Sequence, residues 1–503
     1  MDSQKIQILI SMLIYMVAMV AIGIIFYYKT KDSSDYFLGG RRLGPWVGAI
    51  SAEASDMSGW LLMGLPGLAY ATGFGEAAWT AIGLAAGTYL NWKFVAERLR
   101  KYTQLANDSI TLPDFFSNRF HDKSKILMSI SALFILIFFT LYTATGFVAS
   151  GKLFNSIFGL DYIPMMILSA LIIVAYTATG GFLAASTTDL VQGILMFFSL
   201  IVVLMAGTIA AGGVGAVGAN LSGLNGYMDW FAVMDPVKKS AVPFGAISII
   251  SALAWGVGYF GMPHILVRFM AIKTTQEIKR SRVIAMIWVI ISLIAAVIIG
   301  VVGRAYLGDT LVGGDSEKVF IYLSTNLIPS LIAGVILSGI LAATMSTADS
   351  QLLVTSSAIS TNFYKGLIRK NASEKEMMWV GRLTVITVAI VAAFIARDPN
   401  SSIFSLVKYA WAGFGATFGP VILFSLFWKR TTRNGALAGM LCGGVLVILW
   451  KEVVSKLGGI FAMYEMVPAF LFSTLAIIVV SLLDKEPSKE IQQEFDSIKD
   501  AKI

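Results

Sequence analysis

The stretch ASDMSGWLLMG, Ala54 to Gly64, lies inside a run from Trp46 to Tyr70 that is otherwise long and apolar enough to cross a bilayer. A helix needs about 20 apolar residues to span the hydrocarbon core. A carboxylate at mid-depth costs about 2.5–3.5 kcal/mol even on a lenient insertion scale. Asp56 therefore has to face the protein interior and find a cation, water or a hydrogen-bond donor. The stretch predicts a spanning helix that is interrupted for a functional reason.

Composition places the whole chain in a membrane. It is 57% hydrophobic and only 14% charged over 503 residues, whereas soluble domains are about 25% charged. Counting the apolar segments predicts an all-α integral membrane protein with about thirteen transmembrane helices. The clearest of these segments are Ile8–Tyr27, Ile126–Phe147, Ile284–Val302, Leu383–Ile395 and Phe470–Leu483.

The net charge of +8 is distributed as membrane topology requires. Most of the 38 Lys and Arg residues fall in alternate loops, and such loops are cytoplasmic by the positive-inside rule. Arg268 is assigned to one of these cytoplasmic clusters, and Lys152 to a loop on the other side. The pattern predicts an outside N-terminus, a cytoplasmic C-terminus and an odd number of spans. The charged tail from Asp484 is expected to be a frayed helix or coil.

A second segment also reads as a broken span. AWGVGYFGMP, Ala254 to Pro263, contains three glycines and a proline. The two broken segments are spans 2 and 7 of the count, five apart, so they are expected to cross the membrane in opposite directions. Inverted repeats place a transport site where two discontinuous helices meet.

Polar oxygens near these breaks predict an ion site. In LAATMSTADSQ, Leu341 to Gln351, the hydroxyls of Ser346 and Thr347 interrupt a small, apolar helix. Hard cations such as Na⁺ prefer oxygen ligands, and the carbonyls of Ala54 and Met57, freed by unwinding, would complement the hydroxyls.

Structural interpretations of the same residues remain open. The two hydroxyls of the LAATMSTADSQ stretch could simply bond back to a carbonyl one turn earlier. Asp56 could cap a half-helix with its own side chain. Glu53, one turn before Asp56, could face a wet vestibule.

Aromatic residues in and near the breaks predict a substrate surface. Trp255 and Tyr259 are four residues apart in the second break, beside Pro263, and with Trp60 and Tyr142 they could hold a small apolar ring. The alternative is that these rings belong to the interfacial or lipid-facing aromatics.

Two further charges remain ambiguous between gating and topology. Asp189 is assigned to the loop GGFLAASTTDLVQ. Arg41 lies near the inner end of span 2.

The sequence lacks the motifs that are typical of several other classes of membrane protein. The sequence contains no P-loop pattern, no Arg-rich voltage-sensor helix and no TVGYG-like filter. Two histidines exclude a His-rich metal centre, and Cys442, the single cysteine, excludes an internal disulfide. The chain is therefore predicted to be neither an ATP-driven pump nor an enzyme.

Four motifs carry a resemblance to a known family. They are GGR at 39–41, SDMSGWLLMG at 55–64, WGVGYFGMP at 255–263 and STADSQLL at 346–353. In this combination the chain resembles the sodium/solute symporter family over nearly its full length. The resemblance implies a leucine-transporter-like 5+5 inverted-repeat core. It also implies sodium-coupled symport of L-proline by alternating access across the bacterial cytoplasmic membrane.

The resemblance also implies a domain division. Residues 1–484 would form one transporter domain, with core repeats at about 46–211 and 243–428, and residues 485–503 would form a cytoplasmic tail.

The resemblance further assigns roles by position. The implied Na⁺ ligands are Ala54, Met57, Ala343, Ser346 and Thr347, with Asp56 linked to sodium binding. The implied substrate positions are Ser58, Tyr142, Trp255, Tyr259 and Pro263, to which the aromatic pattern adds Trp60. Arg41 and Asp189 match positions that influence coupling and ion access. Na⁺ is the co-transported ion, and no organic cofactor, nucleic acid or obligate protein partner is implied.

Two alternatives to proline symport remain at this point. The same carrier could take another small amino acid or a compatible solute. A channel or a transport-derived sensor is the rival from a different class.

Overall fold

Helices make up most of the described part of the chain, because a spanning backbone must satisfy its own polar groups in hydrocarbon. The computed structural model describes residues 2–27 and 37–501, apart from the side chains of residues 26, 27, 176 and 178–180. Two short strands, β1 (Ala232–Met234) and β2 (Ala241–Pro243), pair antiparallel in one loop.

The first half of the described chain, up to the β1–β2 loop, consists of nine α-helices. They are α1 (Ser3–Tyr27), α2 (Pro45–Asp56), α3 (Leu65–Thr72), α4 (Phe74–Leu90), α5 (Ala96–Leu105), α6 (Leu112–Arg119), α7 (Ile126–Phe158), α8 (Tyr162–Ala210) and α9 (Val214–Leu221). Helix α8 contains a kink at Gly181, whose φ is 67°.

Ten helices follow β2. They are α10 (Ala246–Leu253), α11 (Pro263–Ala271), α12 (Thr275–Leu307), α13 (Val319–Leu327), α14 (Ser330–Ser357), α15 (Glu374–Ile395), α16 (Ile403–Phe427), α17 (Arg433–Glu452), α18 (Met466–Leu483) and α19 (Lys489–Ser497).

Both predicted breaks are present. A non-helical step and the π-helical turn Trp60–Gly64 separate α2 from α3. The 3₁₀ turn Ala254–Gly261 separates α10 from α11, and the segment Ala246–Gly261 is bent by 47° relative to Pro263–Ala271. Non-helical backbone at membrane depth persists only where protein or a cavity supplies its partners.

The two broken segments run antiparallel, as their odd separation in the count predicts. In the pairs of residues that make contact, the residue number increases along the first segment as it decreases along the second. These pairs are Leu43 N to Ala271 O at 3.1 Å, Arg268 Nε to Ser51 Oγ at 2.9 Å, Tyr259 Oη to Asp56 Oδ2 at 2.6 Å, and the Trp60 and Trp255 rings at 5.8 Å.

The number of spans stays a prediction. Among the described residues, nine helices are long and apolar enough to cross a membrane, and the bent pair Ala246–Gly261 and Pro263–Ala271 would be a tenth.

Helix α4 packs against the second break with backbone touching backbone. A Cβ on Gly87 would lie 2.0 Å from Gly256 O, and a Cβ on Gly256 would lie 2.1 Å from Gly83 O. Only glycine permits such close approach. These three glycines therefore fix the position of the broken segment relative to α4.

The carboxy-terminal tail is more ordered than the charge pattern predicts. Ser488 caps helix α19, whose Ile491 and Phe495 are buried. The guanidinium of Arg119 lies 5.3 Å from the centre of the Phe495 ring. The expectation of a frayed helix or coil is wrong for residues 489–497, because this helix is amphipathic and packs its apolar face against the rest of the protein.

Replacing Gly87 by alanine tests the close approach. The added Cβ would force α4 away from the second break, and overpacking of this kind costs about 1–3 kcal/mol. We expect Gly87→Ala to lower the thermal unfolding midpoint of the purified protein in detergent. Gly215→Ala is the matched control, because a Cβ there meets nothing within 4 Å. Equal midpoints for the two variants would contradict the packing.

Candidate functional site

The first break releases the carbonyl of Ala54. In a continuous helix Ser58 N would donate to it, but here that N–H donates to Asp56 O at 2.8 Å. The hydroxyl of Ser346 on α14 donates to Ala54 O instead, at 2.8 Å. Helix α14 therefore lies directly against the unwound backbone.

The other predicted ion ligands surround this contact. Ala343, Ser346 and Thr347 are buried on α14, and Met57 is buried at the end of α2. Back-bonding is confirmed for Ser346, whose hydroxyl also lies 3.3 Å from Ala343 O. It is wrong for Thr347, whose buried Oγ1 has no partner among the described residues.

Asp56 connects the two breaks. Its Oδ2 accepts a hydrogen bond from the Tyr259 hydroxyl at 2.6 Å, and its backbone carbonyl accepts from the Tyr142 hydroxyl at 3.1 Å. The interpretation of Asp56 as a helix cap is wrong, since none of the helical segments described on either side of the break takes a cap bond from its side chain. Its second oxygen, Oδ1, is buried without a partner among the described residues.

Side chains from neighbouring helices satisfy the carbonyls freed by the second break. The Trp411 indole donates to Trp255 O at 2.7 Å, and the Asn91 amide donates to Tyr259 O at 2.9 Å. Pro263 then begins α11, a position where its missing N–H costs nothing.

The predicted substrate residues are all inside the protein. Trp60, Tyr142, Trp255 and Tyr259 are each 1% exposed, so the membrane-belt interpretation is wrong for them. The Trp255 ring lies 5.1 Å from that of Phe404 as well as near Trp60.

A closed gap, with no room for a water molecule, lies between two of the substrate candidates and one of the ion candidates. Ser58, Tyr142 and Thr347 line it, together with Gln351. The hydroxyl of Thr347, which lacks a partner, therefore borders the space beside the proposed pocket.

Asp189 lies in helix α8, buried, rather than in a loop. Its Oδ2 accepts from Ser51 at 2.6 Å, from Arg268 at 3.0 Å and from Ser55 at 3.1 Å. The loop assignment was wrong because small polar residues around Gly181 resemble a turn. The structure joins Asp189 to the half-helix α2 that ends in the first break.

The position of Arg268 also differs from its assignment to a cytoplasmic cluster of basic residues. It is 1% exposed within α11 and not part of a cytoplasmic loop. It also donates to Ser350 Oγ at 2.5 Å, so it links α2, α8, α11 and α14. Several basic residues follow Arg268 in the sequence, and for that reason it was grouped with them. Its immediate neighbours in the sequence are apolar, and that pattern indicates a buried charge.

Arg41 lies away from these groups, before α2 begins. It bonds Asp108 at 2.9 Å, Ser109 O at 2.8 Å and Met270 O at 2.7 Å. Burial lowers the pKa of the Arg41 guanidinium, and the Asp108 carboxylate opposes that effect. Arg41 thus ties the start of the first broken segment to the end of the second.

Sequence reasoning missed two further buried groups. Lys152 lies within α7 and bonds Glu317 at 2.7 Å, so its assignment to a loop was wrong. Glu53 is 2% exposed and accepts from the Trp92 indole at 2.9 Å, so it does not face a wet vestibule. A lysine inside a long apolar helix was the available signal for the first of these.

The chain is similar in sequence to known transport proteins. The chain is 47% identical over 499 residues to the sodium/proline symporter of Escherichia coli (strain K12), covering 97% of this chain and 95% of that protein. It is 48% identical over 485 residues to a high-affinity proline transporter of Bacillus subtilis (strain 168), covering 96% of this chain and 99% of that protein.

A solved structure shares the fold. The substrate-bound outward-open state of a Na⁺-coupled sialic acid symporter matches with a TM-score of 0.78 and 19% identity, covering 96% of this chain and 99% of that one. The fold is all-α and leucine-transporter-like, as predicted. The model of the sodium:solute symporter family matches residues 36–443. On these matches, the chain belongs to the sodium:solute symporter family, whose members are multi-pass membrane transporters.

Proposed function

We propose that this chain is a carrier that couples the entry of Na⁺ to the uptake of L-proline by alternating access. The observation that carries the proposal is the meeting of two antiparallel, unwound segments at the Asp56–Tyr259 bond, with free oxygens on one side and buried aromatic rings on the other. The two relatives described above are proline transporters, which supports the same substrate for this chain. No chemical reaction is catalysed.

For the ion, we propose a site between α2 and α14. The carbonyls of Ala54, Met57 and Ala343 and the hydroxyls of Ser346 and Thr347 would supply neutral oxygens, with Asp56 close by as a linked charge. Neutral ligands suit a transported ion, because binding must be strong enough to load it and weak enough to release it. The hydroxyl of Thr347, which lacks a protein partner, supports this assignment.

For the substrate, we propose the aromatic cluster and the closed gap beside that ion site, which has to widen to admit proline. Ser58, Trp60, Tyr142, Trp255, Tyr259 and Pro263 would hold proline. The pyrrolidine ring is apolar and fits against indole and phenol faces. The carboxylate would lie at the N-terminal end of a half-helix, where the helix dipole and free N–H groups favour an anion.

The proposed coupling needs no ATP. A tenfold inward Na⁺ gradient is worth about 1.4 kcal/mol, and a potential of 100 mV adds about 2.3 kcal/mol for one charge. Together, roughly 3.7 kcal/mol could sustain several-hundred-fold accumulation of a neutral zwitterion at one Na⁺ per proline.

The proposed topology has thirteen spans. Besides the ten counted above, segments 45–72, 74–105 and 162–180 would cross the membrane. The N-terminus would be outside and the C-terminus cytoplasmic. Residues 1–484 would form one transporter domain, with core repeats at about 46–211 and 243–428, followed by the tail.

Arg41 and Asp189 are proposed as gating and coupling residues. Both lie toward the end where α2 begins, which this topology makes cytoplasmic, and each ties together the two broken segments.

The deciding experiment is radiolabelled proline uptake into proteoliposomes with and without an imposed Na⁺ gradient. We expect saturable uptake that becomes accumulative only with the gradient. A panel of unlabelled amino acids and compatible solutes as competitors tests the substrate, and a flux that never saturates would indicate a channel.

Removing the α14 hydroxyls tests the ion site. We expect Ser346→Ala and Thr347→Ala each to raise the Na⁺ concentration required for half-maximal uptake at least tenfold, because each removes an oxygen near the break. Proline recognition at saturating Na⁺ should change far less. Wild-type sodium dependence in both variants would contradict the site.

Removing the indole of Trp255 tests the substrate site. We expect Trp255→Ala to raise the KM for proline while the sodium dependence is largely retained, since a stacked ring is worth about 1 kcal/mol or more beyond its buried area. Uptake kinetics over a proline titration at fixed Na⁺ measure this. An unchanged KM would remove Trp255 from the pocket.

A double-mutant cycle tests the Asp189–Arg268 pair. Breaking a buried ion pair from one side costs about 3–5 kcal/mol, because the remaining charge is left uncompensated. We expect Asp189→Asn and Arg268→Met each to lower the thermal unfolding midpoint strongly, and the double variant to lose less than the sum. Strict additivity would show that the two charges do not depend on each other.

A further inference from the structure

A groove of about 570 Å³ opens on the outer surface of the helices, between the end of α4 and the first half of α12. One wall is the ring of Tyr89, and the other wall is a strip of α12. The strip consists of Arg282, Val283, Met286, Ile287, Ile290 and Ile291. This spacing places the side chains on one face of a helix, so the groove runs along α12 rather than across it.

The groove is charged at one end and apolar over the rest of its length. Arg282 lies near the start of α12, and beyond it Val283, Ile287 and Ile290 are all exposed. Nine residues of helix from Arg282 to Ile291 rise about 14 Å. One leaflet contributes half of the hydrocarbon core, or about 15 Å. The apolar part of the groove therefore matches the depth of one leaflet.

Two cations lie near the Tyr89 ring at the charged end. The Arg282 guanidinium is 6.0 Å from the ring centre, and the Lys93 ammonium is 5.4 Å from it. Neither cation has an ion-pair partner among the described residues, and the Tyr89 hydroxyl has no hydrogen-bond partner among them. An anion beside this ring would be attracted by both cations. The charged end thus has the character of an anion site.

We propose that this groove binds one anionic phospholipid, such as phosphatidylglycerol. The phosphate would lie beside Tyr89, near Lys93 and Arg282, and one acyl chain would follow α12 to Ile291. Basic pockets between membrane helices on the cytoplasmic side bind acidic headgroups, and the proposed topology places this end of α12 on that side. A zwitterionic headgroup fits less well, because it would bring a further cation to a place that already holds two.

A lipid in this groove would connect α4 to α12 close to the second break. Tyr89 follows Gly87 by two residues, and a Cβ on Gly87 would lie 2.0 Å from Gly256 O of that break. A ligand that contacts both helices opposes their separation at this end. The inference goes beyond the proposed uptake of proline, and it does not depend on which solute is carried.

Lipid binding to the purified full-length protein provides the first test. After removal of co-purified lipid in detergent, phosphatidylglycerol and phosphatidylcholine with identical acyl chains are titrated, and bound lipids are counted by native mass spectrometry. We expect one phosphatidylglycerol to bind roughly tenfold or more tightly than phosphatidylcholine, because two cations attract the acidic headgroup. The double variant Lys93→Gln/Arg282→Gln should lose this preference. Added salt should weaken it in the wild type, because exposed charges are screened.

Arg382→Gln is the matched control. Arg382 lies on α15, 5.8 Å from the centre of the Trp379 ring, so it makes the same kind of cation–ring contact on a different helix. We expect this variant to keep the wild-type preference for phosphatidylglycerol. An equal loss of preference in Arg382→Gln would show that the overall basic charge attracts the lipid, and it would overturn the site.

Filling the groove tests the acyl chain without changing the charge. The indole of Ile290→Trp would occupy the apolar part of the groove at an exposed position, so the lipid-free protein should unfold at nearly the wild-type temperature. Ligand binding to the folded state raises the unfolding midpoint. We expect phosphatidylglycerol to stabilise the wild type and Arg382→Gln, and to stabilise Ile290→Trp and the double variant much less.

Three results would overturn the proposal. Equal stabilisation by phosphatidylcholine and phosphatidylglycerol would identify an ordinary lipid-facing surface. Equal stabilisation by glycerol phosphate, which has no acyl chain, would identify a site for soluble phosphate instead. A dimer in light scattering that Ile290→Trp converts to a monomer would identify a contact between two copies of the chain.

Discussion

A backbone carbonyl released inside hydrocarbon must find a donor or an ion, and the rest of this structure follows from that constraint. Side chains supply the donors here: Ser346 donates to Ala54 O, Trp411 to Trp255 O, and Asn91 to Tyr259 O. Each partner comes from a different helix, so the two breaks determine which helices must be neighbours. Polar side chains in the interior of this protein thus provide the hydrogen bonds that two short lengths of irregular backbone cannot make within their own helices.

The Asp56–Tyr259 bond makes the two breaks interdependent. Through this bond, a shift of Asp56 would be transmitted to the 3₁₀ turn that carries Trp255 and Tyr259. Buried ion pairs lie to either side of this bond: Asp189–Arg268 toward the start of α2, and Lys152–Glu317 at the opposite end of the broken segment, where Gly67 approaches Glu317. Such pairs cost desolvation and contribute little net stability, but breaking one from a single side is strongly unfavourable. Their placement suits a protein that opens to one side at a time.

Sequence patterns predict the local features of this molecule well. Glycines and a proline within apolar runs locate both breaks, and the parity of the span count gives their antiparallel direction. The partners of buried charges escape prediction, because pairing between α8 and α11 or between α7 and Glu317 depends on packing between distant segments. Asp189 was read as a loop residue and Arg268 as a topology signal for this reason. Glu53 illustrates the same limit, since its environment is set by Trp92, 39 positions away.

The docked helix α19 has a practical consequence for handling the protein. Its Phe495 ring lies against Arg119, and Tyr102 packs edge-on to the same ring at 6.3 Å. A version shortened at Asp484 would uncover this aromatic seat on the water-facing surface, where exposed apolar patches promote self-association. Affinity tags and fluorescent fusions therefore belong after Ile503, behind a flexible spacer, rather than in place of the tail.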